Sequence, residues 1–430
     1  MTSLASRSAE SDSRTDPEFE SIDSFFDRRQ IDRVIETLIA TLENDANPRR
    51  LLDALLLKAR LDLDLTPLQT EALVDIPEPT RERYEERYLA AIRTVGELLL
   101  ARGEIPPAWP YFQAIGDKEP VARAIDAYRH DPATADPEAD VLGQIIEVAF
   151  NQGVHPKRGF ELILDHYGVC SAITAFEHLR GDESLRTECA ALLTRRLYDQ
   201  LSENLRGDIL NRSLTRLGDD TATVAELLDG RDILFEDEAY HVDVSHLASV
   251  VRSSVLLADK QSIALAVELA DYGRRLSSRH KYEGLPPFED VYADHSAYLK
   301  ALLGVDVETA IERFEAKARV SAEESAERGY AAPTDSLPAQ VLVLLLVRLG
   351  RLDRAIDVFA TYLTEIPEAN LACPSLSKLC KAAGRIDRLA EIAKCVGDLV
   401  TYTAARLELI KTNAANGSDS VNPLSPSRRS

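Results

Sequence analysis

Cysteine is scarce in this chain, and its five cysteines form no C-x-x-C pair. An odd number of isolated cysteines is typical of small buried thiols in a reducing compartment and argues against a disulfide framework. Long apolar runs are also missing. The longest, at 341–347, is far shorter than the roughly 20 residues that cross a bilayer, and the N-terminal residues contain no apolar segment typical of a secretory signal. We therefore expect a cytoplasmic protein with no membrane partner.

A basic surface patch is absent as well. The 50 Lys and Arg residues are dispersed among 72 Asp and Glu residues, and the formal net charge is −22. Such a surface repels phosphate backbones, so we predict no nucleic-acid partner. The excess of acid has two interpretations: it keeps the protein soluble, or it attracts a basic partner.

Alternating strand patterns are missing, while leucine, alanine, glutamate and arginine dominate at helical spacing. The predicted fold class is all-α, with stacked antiparallel helical hairpins in the C-terminal part and an irregular helical N-terminal half. The predicted helices cover residues 18–44, 48–62, 79–102, 108–115, 119–129, 138–151, 157–167, 169–179, 183–205, 207–216, 244–258, 260–277, 287–303, 306–318, 337–349, 352–365, 372–383, 386–397 and 399–411.

The predicted organisation has four parts. Residues 1–17 and 412–430 are polar tails with too little apolar surface to offset the entropy of ordering. Between them we predict an N-terminal helical region over 18–240 and helical repeats over 241–411. Two Asp-Pro turns make 131–140 a candidate joint inside the first region.

A repeat is the clearest signal in the sequence. GRLDR at 350–354 recurs as GRIDR at 384–388, and the two glycines are 34 residues apart (384 − 350). The helix after each glycine carries an apolar stripe of seven positions. Six of the seven residues in the second stripe are again apolar side chains, and the seventh is glycine. The first stripe comprises Leu352, Ala355, Ile356, Val358, Phe359, Tyr362 and Leu363; the second comprises Ile386, Leu389, Ala390, Ile392, Ala393, Val396 and Gly397. A fainter copy comprises Gly304, Val307, Ala310, Ile311 and Phe314.

With this period and pattern, residues 285–400 resemble the tetratricopeptide repeat (TPR) family, whose 34-residue unit is a helix–turn–helix. Residues 339–372 fit best, through Leu342, Ala355-x-x-x-Phe359 and Pro367, although Ala339 stands where a bulky aromatic is usual. The resemblance implies stacked hairpins that bind a protein or peptide partner, with the helix at 399–411 as a cap. The structural repeat positions are Gly350, Ala355, Phe359, Pro367, Gly384, Leu389 and Ala393.

Catalytic motifs are not evident. The sequence has neither a phosphate-binding glycine loop nor H-E-x-x-H, and we predict no cofactor and no metal. The strongest candidate site is His166 with Cys170, because an imidazole one helical turn away can activate a thiolate. Gly168 between them predicts a helix break that separates the two, and structural residues with satisfied hydrogen bonds at a hairpin turn are the simpler interpretation.

Other histidines carry weaker hypotheses. His241 and His246 are five residues apart and cannot share one helical face as metal ligands, although Asp243 and the Asp294-His295 pair add further candidates. His130-Asp131 is reminiscent of helical metal-dependent phosphohydrolases, but Pro132 follows it. The single tryptophan, Trp109, anchors a helix start in one interpretation and forms a binding platform in the other.

The leading hypothesis is a non-enzymatic scaffold or adaptor of helical-repeat type that presents its surface to a protein or peptide. The alternative is an all-α enzyme or metal-binding protein whose site lies near His155–His178, with the repeats as an appendage.

Overall fold

A computed structural model describes residues 17–45, 47–68, 72–131, 140–212, 221–328, 332 and 334–418. Within these ranges the chain forms twenty α-helices and no β-strand; an isolated antiparallel bridge joins Glu283 to Asp290. The prediction of an all-α fold is confirmed. Among the helices of the described ranges, none combines the length and the apolar composition needed to cross a membrane.

The chain divides into two compact units, the first ending at His166 and the second beginning at Tyr167. This division differs from the boundary near residue 240 that the sequence suggested. The helix at 183–211 packs against helices on the far side of residue 240, so both stretches share one core. The candidate joint at 131–140 lies largely outside the described residues, as do 1–16 of the N-terminal tail.

The first unit contains eight helices in its described part. They are α1 (Pro17–Asp27), α2 (Ile31–Leu42), α3 (Pro48–Asp62), α4 (Thr80–Ala101), α5 (Ile105–Ala114), α6 (Glu119–Ala127), α7 (Val141–Ile146) and α8 (Pro156–His166). A π-helical turn over Glu147–Asn151 continues α7. Neighbouring helices in the series α1 to α6 pack against one another, and α8 packs against α7 and the π-helical turn.

The second unit contains the remaining twelve helices of the described residues. They are α9 (Gly168–His178), α10 (Glu183–Asn211), α11 (Val224–Leu228), α12 (Val244–Ser253), α13 (Lys260–Arg275), α14 (Val291–Leu302), α15 (Val307–Arg328), α16 (Leu337–Arg348), α17 (Leu352–Tyr362), α18 (Leu376–Ala383), α19 (Ile386–Val396) and α20 (Leu399–Ser418). From α12 onwards each helix packs against the next, and α14 also contacts α12 and α16.

Several predicted helix boundaries were wrong, each for a physical reason. The helix predicted over 18–44 is two, because Arg29 adopts a left-handed φ of 55° and the Gln30 N–H closes α1 on the Phe25 carbonyl. The break predicted near Gly207 is absent, since buried Leu205 and Ile209 keep one stripe in contact with the core on both sides of it.

Helix α15 runs on to Arg328, ten residues beyond the end predicted at 318. Helix α20 continues to Ser418, so the tail predicted from 412 begins too early. Residues 419–430 lie outside the described ranges.

The turns after α14, α16 and α18 have the same backbone geometry. Gly304, Gly350 and Gly384 have φ values of 84°, 72° and 69°, a region that L side chains rarely adopt. In each turn the next residue's N–H donates to the carbonyl five residues earlier in the pattern of a Schellman cap, as Arg351 does to Leu346 at 2.8 Å and Arg385 to Cys380 at 2.8 Å. These glycines therefore end the first helix of each pair and start the second.

The helices that follow these turns bury equivalent positions. Ala310, Ile311 and Phe314 are buried on α15, as are Ala355, Ile356 and Phe359 on α17 and Leu389, Ala390 and Ala393 on α19. Pro367 follows α17 and precedes a short 3-10 turn at Glu368–Asn370. The small–large pair Ala355 and Phe359 on α17 corresponds to the large–small pair Leu389 and Ala393 on α19. The total side-chain volume along the stripe therefore stays similar, as close packing between helices requires.

The repeated arginines link successive second helices. Arg354 of α17 contacts Glu308 and Glu315 of α15, with nitrogen–oxygen distances of 2.9 Å in both ion pairs. Its counterpart 34 residues later, Arg388 of α19, contacts Asp357 of α17 at 3.1 Å. The repeated arginine therefore makes the same type of ion pair with the preceding second helix twice.

Candidate functional site

The histidines predicted near a site in the first unit contact ordinary structural partners. His130 Nδ1 lies 3.2 Å from the Tyr128 hydroxyl, and its ring packs edge-on against His166 with 4.8 Å between centroids. His155 Nε2 lies 3.9 Å from Asp126. Trp109 is half-buried and donates its indole N–H to Gln152 at 2.5 Å. These contacts join residues of neighbouring helices and turns within the first unit.

His166 and Cys170 lie on different helices in different units. Helix α8 ends at His166, and α9 begins at Gly168, whose φ is 79°. Cys170 is exposed on α9, where its carbonyl accepts the Thr174 hydroxyl. His178, in the last turn of α9, bonds to the Thr174 carbonyl at 2.7 Å through Nδ1. The imidazole–thiolate dyad stays a hypothesis.

The candidate ligands of the second unit have separate roles. Asp243 is the N-cap of α12 and accepts the N–H groups of Ser245 and His246 at 2.8 and 3.1 Å. His241 lies 3.2 Å from Asp208 and contacts Tyr272. Within the ranges described above, no group of three or more His, Cys, Asp or Glu side chains is placed to hold a metal ion.

Sequence reasoning missed a groove on the face formed by α12, α14 and α16. Its volume is about 420 Å³, within the size range of ligand pockets. We call it the α14 groove. Its lining comprises Arg252, Val255, residues 283–288, Val291, His295, Leu337 and Val341. Carbon-rich side chains dominate this lining, and Arg252 and Glu283 are its charged residues.

The loop over residues 283–288 forms one wall of the groove. The Gly284 N–H donates to the Glu289 carbonyl at 3.0 Å, and the Phe288 N–H donates to the Leu285 carbonyl at 2.8 Å. A Cβ at Gly284 would lie 1.9 Å from the Phe288 carbonyl oxygen, so the loop closes only around a glycine. The closed loop leaves Leu285 72% exposed at the rim and starts α14 at Val291, four residues later than the sequence predicted.

His295 lines the groove and is almost fully buried. Its ring stacks on Phe288 with 4.1 Å between centroids, and Nδ1 donates to the Val291 carbonyl at 2.5 Å. Burial lowers the pKa of His295 to about 4, while Asp294 and Arg252 act on it in opposite directions. At neutral pH the ring is therefore uncharged, and because Nδ1 is the donor, Nε2 can only accept a hydrogen bond.

Arg252 supplies a donor at the rim of the same groove. It is exposed, donates to the Glu283 carbonyl at 3.4 Å and lies over the Tyr282 ring, with 5.9 Å from its guanidinium carbon to the ring centroid. No described carboxylate pairs with it, which is notable in a chain with such an excess of acid. The groove therefore offers one acceptor and one cationic donor around an apolar floor.

Asp294, next to His295 in the chain, links α14 to α15. It is fully buried, and its carboxylate accepts the Asp290 N–H at 3.0 Å, Arg313 Nε at 2.7 Å and Lys317 Nζ at 3.0 Å. Arg313 and Lys317 belong to α15, so this network joins α14 and α15. A buried carboxylate is stable only with such partners.

The stability of the second unit should depend on pH through His295. Its pKa is about 4 in the folded protein and 6.5 ordinarily, so the unfolded chain binds the extra proton between these values. The contribution of His295 to the free energy of unfolding is therefore fully present above about pH 6.5. It falls by about 3 kcal/mol as the pH decreases to 4. Denaturant unfolding of the wild type and of His295→Gln at several pH values measures this difference.

His178→Gln, at an exposed histidine of α9, is the control for the substitution itself, since it leaves the surroundings of His295 intact. Equal pH profiles for wild type and His295→Gln would show that His295 is not buried in its neutral form.

A larger hollow of about 510 Å³ lies between α15 and α17. Its lining is mostly alanine, serine and threonine, and its Asp335 is already bonded to Arg328 and to the Ala332 N–H at 2.6 and 2.7 Å. The α14 groove combines apolar walls with polar groups that can accept or donate to a ligand, so we take it as the candidate site.

The sequence carried part of the signal for this groove. The sequence singled out the Asp294-His295 pair, but only as candidate metal ligands. The loop over 283–288 was not predicted, since the sequence suggested a helix from residue 287, and the side of α14 that the loop covers depends on tertiary packing. No protein-family profile, curated protein sequence or solved structure matches this chain.

Proposed function

We propose that the second unit is a TPR-like helical-repeat platform that binds an extended peptide segment of a partner protein and performs no chemistry of its own. The observation that carries the proposal is the α14 groove, where apolar walls surround the His295 acceptor and the Arg252 donor. Grooves of this composition suit a peptide side chain flanked by its own backbone groups.

The repeated elements support the repeat architecture in this proposal. Three helix pairs begin their second helix at a left-handed glycine, and two successive pairs repeat an arginine bridge to the preceding pair. Stacked units share such neighbour contacts because each hairpin cannot bury its own apolar surface. The groove-lining helices α12, α14 and α16 are then the first helices of successive pairs.

The groove indicates the chemistry of the peptide. An apolar side chain fills the space between Val291 and Val341, a peptide N–H donates to His295 Nε2, and a peptide carbonyl or side-chain carboxylate accepts from Arg252. The partner segment is therefore apolar at its centre with an acceptor beside it. Nothing in this chemistry requires a cofactor.

We also propose a cytoplasmic location. All five cysteines are free thiols, and Cys189, Cys373 and Cys380 are buried. Burial raises the pKa of Cys373 and of Cys380 to about 11, so both remain protonated and unreactive. Free thiols of this kind suit a reducing compartment.

Selection of random peptides on the purified full-length chain tests the binding role. We expect a consensus with a central apolar residue, and affinities that fall at least about tenfold in Arg252→Gln because a hydrogen bond to a charged group is lost. Val341→Arg, which places a long charged side chain in the groove, should abolish binding. Val320→Arg, at an exposed valine of α15 outside the groove, is the matched control.

Two outcomes would overturn the proposal. One is a selection that enriches no sequence over repeated rounds. The other is a selected peptide whose affinity is the same for the wild type, Arg252→Gln and Val341→Arg, since such a peptide binds elsewhere.

A further inference from the structure

The outer side of the last described helix, α20, is apolar. Leu399 and Val400 are 74% and 80% exposed, and Leu407 and Ile410 are 55% and 62% exposed. With Thr403 they fall within roughly 100° of the helix circumference at 100° per residue. We call these five residues the α20 stripe.

The α20 stripe lies opposite the side of the helix that packs on the rest of the unit. Ala405 is buried on that inner side, and α20 packs against α19. Thr403 donates its hydroxyl to the Leu399 carbonyl at 2.8 Å, so it presents its methyl group outwards with its donor already used. A helix that only capped a stack would carry polar residues here.

We propose that the α20 stripe is a self-association surface, which pairs with the α20 stripe of a second copy of this chain in antiparallel orientation. The positions are self-complementary about residue 405. Thr403 comes opposite Leu407 of the second copy, and Val400 comes opposite its Ile410. Leu399 then meets the aliphatic stem of Lys411, which keeps its ammonium group in solvent.

The exposed area is sufficient for such a pair. Two stripes together bury on the order of 1,000 Å² of surface, the lower limit for a specific interface. Each chain supplies about half of this area, which is the size of the largest apolar patch on a typical monomer, and such a patch often has an interaction role. The interface is therefore a weak one, with a dissociation constant in the micromolar range.

A segment of the same chain is a poorer occupant. The sequence outside the described ranges has few large apolar residues at its two ends: Met1 and Leu4 in 1–16, and Val421 and Leu424 in 419–430. Two large apolar residues at each end are too few to cover a five-position helical stripe. This inference is independent of the α14 groove and of the proposed peptide binding.

Sedimentation velocity of the full-length chain between about 1 and 100 µM tests the proposal. We expect the wild type to shift from monomer to dimer with concentration, and Val400→Glu/Leu407→Glu to weaken dimerisation at least about tenfold by placing charges in the interface. Because both positions are exposed, the far-UV CD spectrum should stay unchanged. Leu210→Glu, at an exposed leucine of α10, should dimerise like the wild type.

A charge exchange tests the antiparallel register. Val400→Glu and Ile410→Lys are each expected to weaken the homodimer, and an equimolar mixture should recover association through the opposed Glu and Lys. A wild type that remains monomeric up to 100 µM would overturn the proposal. So would a dimer that the double variant leaves intact, or a mixture without recovery.

Discussion

Replacing Asp294 by alanine is expected to lower the free energy of unfolding of the second unit by about 3 kcal/mol, the largest loss we expect from one charged residue. Its carboxylate is fully buried and bonds to Arg313, Lys317 and the Asp290 N–H. Removal leaves two cations without their shared partner and an N–H without its acceptor. Urea unfolding followed by far-UV CD measures the loss.

The matched control is Asp353→Ala. Asp353 also pairs with an arginine, Arg385, at 2.7 Å, but its side chain is 74% exposed, so its removal should cost less than about 1 kcal/mol. Asp294→Asn, which keeps the shape and can still accept one hydrogen bond, should fall between the two. A loss for Asp294→Ala no larger than that for Asp353→Ala would mean that the network contributes nothing beyond a surface ion pair.

Replacing Phe359 by alanine is expected to cost about 3–5 kcal/mol, because a large side chain is removed from a packed core. Phe359 is 5% exposed on α17, a helix that packs against both α16 and α18. The seam between successive pairs therefore loses contacts on two sides. Thermal and urea unfolding of the variant measure the loss.

Thr361→Ala is the control on the same helix, since Thr361 is exposed and donates only to the Asp357 carbonyl one turn earlier. It should change stability by less than about 0.5 kcal/mol. If Phe359→Ala were no more destabilising than Thr361→Ala, Phe359 would not fill the seam and the interpretation of the 34-residue repeat as a packing unit would be wrong.

Much of the local structure was readable from the sequence, because it depends on short-range chemistry. The Asn47-Pro48 pair starts α3, where the Asn47 side chain caps the Arg49 N–H. Gly350 and Gly384 end helices at equivalent positions. Where a boundary had no such signal the prediction was wrong: Arg29 closes α1 without a glycine, and the packing of α10 outweighs the cost of Gly207.

By itself the sequence determined the all-helical fold and the positions of the repeated turns and stripes. The spacing of apolar residues within a helix and the glycines at the turns depend only on residues that are close in the chain. Only the tertiary structure decided which residues meet across helices. It brought Asp294 to Arg313 and Lys317, closed the 283–288 loop beside His295, and left the α20 stripe uncovered. Those contacts depend on how separate helices pack, and the periodicity of one helix carries no information about its neighbour.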